Sequence, residues 1–367
     1  MSIQVASSSI SNPAEAADEI RTVCAGMDPV FVIYFASSHY NPDVISDSMK
    51  EAFPDATVVG CSTAGEIISG KMLKNSVVAM AFDKDAIAAV AASPVDLKDP
   101  HAAGTVLTDL AGVFGKKPLD LDPSEYVGII LIDGLSCAEE HVMEKIGDIT
   151  NIPVIGGSAG DDLAFSKTNV YYNGRVFSNA AVLVLLKPSC RFDIIKTQSF
   201  CGLGKKLIPT KVDAATRKVL EFNGKPAITA YAEAVGVSTD KVTSEFMKHP
   251  VGLISGSEPF VRSPQRVDGD ALCFYCQIRD GVDLEILEST DIIEDTKEAL
   301  NVMEKKVGEI KGLINFNCIL RTLQLEQEGK TGAYGELFTS IPTIGFSTYG
   351  EEYIGHINQT ATMLVFY

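Results

Sequence analysis

Basic side chains are scarce in this chain: 31 Lys and Arg stand against 48 Asp and Glu over 367 residues, a formal net charge of -17. A nucleic-acid surface needs clustered Lys and Arg to neutralise phosphates, so this balance argues against that class of partner. Long apolar runs are missing too. No stretch approaches the ~18 residues that a membrane span requires, and the polar, serine-rich start over Met1 to Asn12 lacks the apolar segment of a secretory signal. A cytoplasmic protein without membrane contact is expected. Eight cysteines are too few for a disulfide framework at this length and are expected as reduced thiols. What remains is a globular composition, 46% hydrophobic and 22% charged, in a chain long enough for about two domains.

Self-similarity organises the chain. Val30 to Phe35 reads as a buried strand, and Asn41-Pro42 opens a helix that runs to about Phe53 with an N-cap followed by proline. Ala56 to Val59 is a second strand that leads into Gly60-Cys61-Ser62-Thr63-Ala64-Gly65-Glu66, and Ser76 to Phe82 is a third. The same order recurs from Gly128 through Gly156-Gly157-Ser158-Ala159-Gly160-Asp161 to Leu186, with a hairpin turning at Asn173-Gly174. A third copy starts with a strand over Leu313 to Leu320. It continues through a helix near Gly332 to Ser340 and reaches Gly345-Phe346-Ser347-Thr348-Tyr349-Gly350-Glu351 before a last strand, Asn358 to Phe366. Three Gly-x-Ser loops, each reaching a carboxylate within a few residues, point to internal duplication. The fold class is α/β, in two domains with mixed sheets built from a repeated β-α-β-loop-β unit.

Ligands of α/β sheets gather beyond strand ends, where these loops are expected. Their hydroxyls both donate and accept, which suits a small polar ligand; alternatively they cap their own turns. No G-x-x-x-x-G-K-[ST] is present, and Glu66, Asp161 and Glu351 would repel a phosphate. An ammonium group fits better, and Arg321 or Arg262 can face a carboxylate, so an amino-acid-like zwitterion is a coherent ligand. Gly156 to Gly160 also matches the G-x-S-x-G nucleophile elbow, but the segment after it reads as a strand where that motif needs a helix. Cys273 and Cys276 form a C-x-x-C in an apparent strand, which aims residues three apart at opposite faces and so excludes a shared metal. Cys137 stands at a helix start, where the dipole favours a thiolate while Glu139 and Glu140 oppose it.

Taken in order, Gly60 to Glu66, Gly156 to Asp161, Asn317 to Arg321, Gly345 to Glu351 and His356 to Thr360 resemble the motifs of the FIST family, from about residue 15 to the end. The resemblance implies a non-catalytic, ligand-sensing protein of signal transduction. Its N-terminal-like domain would cover 1-205 with two copies of the repeat, and its C-terminal-like domain 206-367 with a strand meander, a helix and the third copy. The candidate ligand-binding residues are then Cys61, Ser62, Thr63, Glu66, Ser158, Asp161, Arg321, Ser347, Thr348, Tyr349, Glu351 and Asn358. Within the family, Asp133 to Ser136, Glu139-Glu140, His249-Pro250 and Cys318 to Arg321 look like a stand-alone bacterial branch that includes the NosP nitric-oxide-sensing haem proteins. That likeness implies a histidine-bound haem, with His356 and His249 as candidate ligands, and a partner histidine kinase. No kinase, receiver, cyclase or methyl-accepting segment is read in the chain, so the output is expected to pass through a separate protein.

Overall fold

The computed structural model describes residues 2–256, 258–353 and 355–367. Two compact units emerge: the residues up to Lys196 with Lys297–His356 and Ala361–Tyr367, and Thr197–Thr296 with Ile357–Thr360.

The first unit holds all three copies, and each is longer than the sequence suggested. Copy one runs β1 (Ile3–Ser8), α1 (Pro13–Val23), β2 (Pro29–Ser37), α2 (Pro42–Ala52), β3 (Thr57–Thr63), β4 (Glu66–Ile68), β5 (Lys71–Leu73) and β6 (Val77–Asp83). Copy two repeats it as β7 (Ile87–Asp96), α3 (Ala102–Val113), β8 (Val127–Ile132), α4 (Glu139–Gly147), β9 (Val154–Ser158), β10 (Val170–Tyr172), β11 (Arg175–Phe177) and β12 (Ala180–Pro188). Copy three opens with β13 (Phe192–Gln198) and is then interrupted by the second unit. That unit contains β14 (Phe200–Leu207), β15 (Pro209–Asp213), β16 (Lys218–Phe222), β17 (Lys225–Pro226), α5 (Ala227–Val235), α6 (Val242–Glu245), β18 (Val251–Ser255), β19 (Glu258–Arg262), β20 (Pro264–Asp268), β21 (Ala271–Phe274) and β22 (Leu284–Ser289). Copy three resumes with α7 (Ile292–Val307), β23 (Gly312–Cys318), α8 (Ile319–Gln327), α9 (Thr331–Glu336), β24 (Thr343–Thr348), β25 (Glu351–Tyr353), β26 (His356–Ile357) and β27 (Thr360–Phe366).

The architecture is α/β, as expected, and three details of the reading change. Each copy begins with a strand and a helix ahead of the unit read from the sequence; in copy one the apolar pattern did not reveal them, because β1 is half-buried and α1 is short and polar, whereas α7 of copy three matches the helical pattern of Asp291 to Lys311. Ile319 and Leu320 start α8 rather than ending β23. The compact units also do not follow a cut at 205/206, since the third copy packs with the first two and the second unit is an insertion between β13 and α7.

Local chemistry repeats within copy one. Helices α1 and α2 both open Asn-Pro: the Asn12 side-chain oxygen accepts from the N–H groups of Ala14 and Glu15, and Asn41 does the same for Asp43 and Val44. Each cap satisfies two donors that a helix start leaves unpaired, and proline at the first position gives up an N–H that had no partner anyway.

Every copy makes a sheet with a parallel central pair and an antiparallel third strand: β2 with β3 and β6, β8 with β9 and β12, β23 with β24 and β27. The hairpin after each Gly/Ser segment leaves its own copy. The β4–β5 hairpin of copy one adds to β24 of copy three, the β25–β26 pair of copy three to β9 of copy two, and the β10–β11 hairpin of copy two to β3 of copy one. The exchange is cyclic, and it covers one edge of every sheet, removing an edge that would otherwise offer unpaired backbone groups.

Strands Phe31 to Phe35, Ile129 to Leu131 and Ile314 to Phe316 send alternate side chains into one shared core. Phe35, Phe316 and Phe346 meet there with ring centroids 4.5 to 6.1 Å apart. Helices α1 and α2 cover the outer face of the first sheet, and α3 and α4 that of the second.

Candidate functional site

The three Gly/Ser segments were read as loops, but their first residues are strand: Gly60 to Thr63 end β3, Gly156 to Ser158 end β9, and Gly345 to Thr348 end β24. The opening glycines are demanded by packing. A Cβ on Gly60, Gly156 or Gly345 would fall 2.4, 1.8 or 2.2 Å from the carbonyl oxygen of Tyr34, Ile130 or Asn315 on the neighbouring strand. The motif therefore marks a crowded strand, with the turn only at its end.

Those ends converge. Gly160 N–H donates to the Ser62 carbonyl at 2.9 Å, Ser347 N–H to Gly65 at 2.8 Å, Ser158 N–H to Gly350 at 2.9 Å and Tyr349 N–H to Ser158 at 3.1 Å. Segments from three copies thus lock together at one place inside the first unit.

Copies one and three use the same polar device. Thr63 donates its hydroxyl to Glu66, and Thr348 donates to Glu351 at 2.6 Å. Glu66 also accepts from Ser76, from the N–H at 3.1 Å and the hydroxyl at 2.6 Å. Burial pushes the Glu66 carboxyl up to about 7, against the opposing pull of the Ser76 and Thr63 hydrogen bonds. Copy two has Ala159 where the others have threonine, and its acid turns elsewhere. Asp161 accepts from the Tyr349 hydroxyl at 2.5 Å and from the N–H groups of Phe165, Ser166 and Lys167 at 2.9, 2.7 and 2.9 Å. Partial burial works to raise its pKa, yet the Tyr349 hydroxyl and these backbone donors hold it below the usual carboxylate range.

Two more candidates are buried within copy one. Ser62 accepts from the Asn169 N–H at 3.0 Å, and burial drives the Cys61 thiol far above its usual value, which makes it an inert packing group. Arg321 is almost fully buried on the first turn of α8, where its Nε donates to Asn317 Oδ1 at 3.0 Å and its guanidinium lies 5.9 Å from the Tyr334 ring centre. Asn317 donates to Thr322 at 3.0 Å, and the Thr322 and Ser347 hydroxyls meet at 2.8 Å. A chain of polar groups therefore runs from Arg321 to Ser347 on one face of β24, while Thr348, one residue on, turns with Glu351 to the opposite face beside Phe346.

Beside that end lies a group the motifs did not flag. The Ser158 hydroxyl faces Glu352 Oε1 at 3.0 Å and Glu139 Oε1 at 3.2 Å. His356 Nδ1 stands 3.1 Å from Glu140 Oε1. Burial, followed by the charge of Glu139, drives the Glu352 carboxyl well above its ordinary range. The sequence signal for Glu352 was present as the second acid of Glu351-Glu352, on the strand face opposite its neighbour.

The serine-nucleophile arrangement is not built. Ser158 is fully buried, carboxylates surround its hydroxyl, and β10 follows it after a loop that contains no helix. Cys273 and Cys276 are buried and form no disulfide, with only Cys273 on a strand, since β21 ends at Phe274, and Cys137 is exposed just before α4. Asn358 and His249 belong to the second unit, where Asn358 is buried. His249 Nδ1 lies 3.2 Å from the Leu287 carbonyl, and its Nε2 is 3.5 Å from Glu245. An axial haem ligand needs one ring nitrogen facing open space for the porphyrin. Neither candidate fits: both nitrogens of His249 are engaged, and His356 has Glu140 on Nδ1 and the Gly350 backbone against Nε2, where an added Cβ would lie 2.1 Å away.

The FIST N domain matches residues 30–225, and the FIST C domain matches residues 227–353. The chain belongs to the FIST family. FIST domains are small-ligand sensory domains of signal transduction, and the family is typically non-catalytic. An uncharacterised protein of Methanocaldococcus jannaschii is similar to this FIST protein, 27% identical over an alignment of 297 positions, which covers 74% of this chain and 56% of the relative. The chain thus spans little more than half the length of that relative. The family boundary near residue 226 falls inside the second compact unit, so it does not mark a boundary in space. Among the described residues no helix is long and apolar enough to cross a membrane.

Proposed function

We propose that this FIST protein senses a small zwitterion of the amino-acid class and passes the signal to a separate protein such as a histidine kinase. The observation that carries this reading is the pair of polar groups at the end of β24 in copy three. A buried guanidinium, Arg321, stands with the Thr322 and Ser347 hydroxyls on one face of that strand, and the Thr348–Glu351 pair stands on the other. Arginine matches a carboxylate through its planar donors, and a glutamate accepts from an ammonium group, so these two groups are of the kinds that the two ends of an amino acid need. The junction of the three copies gives such a ligand leverage, because ordering one segment orders the two bonded to it.

The test is a thermal-shift screen with the twenty amino acids and with haemin. A ligand at about a hundred times its Kd adds about 2.7 kcal/mol to stability, an easily read rise in Tm. At least one amino acid should raise Tm, and Arg321→Lys should abolish that rise. If no amino acid shifts the protein at millimolar concentration, the zwitterion reading is wrong. A Soret band on haemin addition that is lost in His356→Ala would replace it with a haem reading.

A further inference from the structure

The strongest unexplained feature is the group at the start of α4. One ligand atom from each of Glu139, Glu140 and His356 lies within 4.8 Å of the others. Acidic clusters are common on protein surfaces, but this one is sunk in the fold, with Glu139 and His356 3% and 4% exposed. A second observation comes from the opposite strand. Glu352 is fully buried and shares the Ser158 hydroxyl with Glu139, and its other oxygen, Oε2, has no hydrogen-bond partner. Ser158 has a single proton and cannot donate to both carboxylates at once. Three carboxyl groups and an imidazole therefore gather here with one buried carboxyl oxygen left over, an arrangement that is costly unless a proton or a metal ion offsets the negative charge.

We propose that Glu139, Glu140 and His356 bind one divalent metal ion, beside the buried Glu352 carboxyl that shares the Ser158 hydroxyl with Glu139. One imidazole with hard carboxylate oxygens suits Zn2+ or Mn2+ over soft, thiolate-seeking ions. Ligand atoms around such an ion sit about 3.4 Å apart for bonds of ~2.1 Å; Glu140 Oε1 and His356 Nδ1 are 3.1 Å apart and no pair of the three groups exceeds 4.8 Å, so small side-chain movements complete the site on loading. Gly350 belongs to the design, since its missing side chain leaves the space that His356 Nε2 occupies. Metal binding would thereby tie α4 of copy two to the end of the third Gly/Ser segment. The proposal stands apart from the amino-acid reading, because it uses neither Arg321 nor the Thr348–Glu351 pair.

The full chain, stripped with a chelator, is to be titrated calorimetrically with Zn2+ and Mn2+, and separately with Co2+ while its absorbance is followed. One ion per chain is expected, with affinity at least tenfold weaker in Glu140→Gln and in His356→Ala. Binding should be unchanged in Cys137→Ser and His249→Ala, which tests the exposed thiol and the other imidazole as competing sites. The Co2+ spectrum should lack a thiolate charge-transfer band, a readout that needs no variant to fold. Absence of stoichiometric binding, a thiolate band, or binding indifferent to Glu140→Gln would each overturn the proposal. A metal-binding chain with no amino-acid response would leave this site standing and remove only the zwitterion.

Discussion

Gly350 and His356 are fitted to each other: a methyl group on Gly350 would sit 2.1 Å from the imidazole Nε2, inside any permitted contact. The glycine stays where it is because a buried ring, held from its other side by Glu140 at 3.1 Å, fills the volume a side chain would need. Gly350→Ala must therefore displace the ring or the strand and should cost about 1–3 kcal/mol, the usual range for overpacking. In a His356→Ala background the obstruction is gone. The two changes should be strongly non-additive in urea unfolding, with the alanine at 350 cheaper once the ring is removed. Additive costs would mean that the ring is not what excludes the side chain.

Glu66 makes stability depend on pH. Its folded pKa is raised from 4.5 to about 7, chiefly by burial, so between those values the native state holds a proton that the unfolded chain has released. Stability is then highest at low pH and falls as pH rises from about 4.5 through about 7, by an amount on the order of 3 kcal/mol before levelling. Glu66→Gln removes the titration while keeping an acceptor for Thr63 and Ser76. Unfolding curves from pH 5 to pH 8 should show a smaller decline in the variant than in the parent. Equal slopes would place the pH dependence in other groups.

The repeat and the position of its polar segments were legible in the sequence because glycine, hydroxyl and acid recur at fixed offsets after apolar runs. The destination of the hairpins was not legible. Glu66–Ile68 is three residues long, and nothing in three residues says that its partner is Phe346 to Ile344 of another copy rather than its own β3. The inserted unit was hidden for a related reason, since β13 is separated from α7 by about ninety residues and no local pattern connects them. The site suffered similarly: Glu139 and Ser158 were each visible, but their meeting with Glu352 depends on the exchange that sets Glu352 opposite Gly156.

The turn that joins the two strands of one exchanged hairpin makes its own prediction. Asn173 has φ 48° and Gly174 φ 81°, the left-handed pair that a tight hairpin needs. The Asn173 side chain also accepts the Val58 N–H at 2.9 Å, reaching into the neighbouring copy. Asn173→Ala loses both the tolerance for positive φ and the acceptor, and should cost about 1–3 kcal/mol. Asn173→Gly restores the backbone freedom alone. A smaller loss for glycine than for alanine would separate the two terms, and equal losses would assign the whole effect to the hydrogen bond.

The cyclic exchange itself is open to hydrogen exchange. Tyr171 on β10 stacks on Tyr34 of β2 with ring centroids 5.6 Å apart and planes 3° from parallel, both rings buried. Tyr171→Ala should cost about 3–5 kcal/mol, since it opens a cavity and removes an aromatic pair. The location of the damage matters more than its size. The amides of Val58 and Ser62, in copy one, are held by the side chain of Asn173 and the carbonyl of Asn169, which flank β10 of copy two. Ser158, at the end of β9 in copy two itself, is held instead by Gly350 of copy three. Loosening the β10–β11 hairpin should therefore speed exchange at Val58 and Ser62 while Ser158 keeps its protection under conditions where only local opening is populated. Faster exchange at Ser158 with Val58 and Ser62 unchanged would mean that the hairpin pairs within its own copy, and the cyclic topology would have to be abandoned.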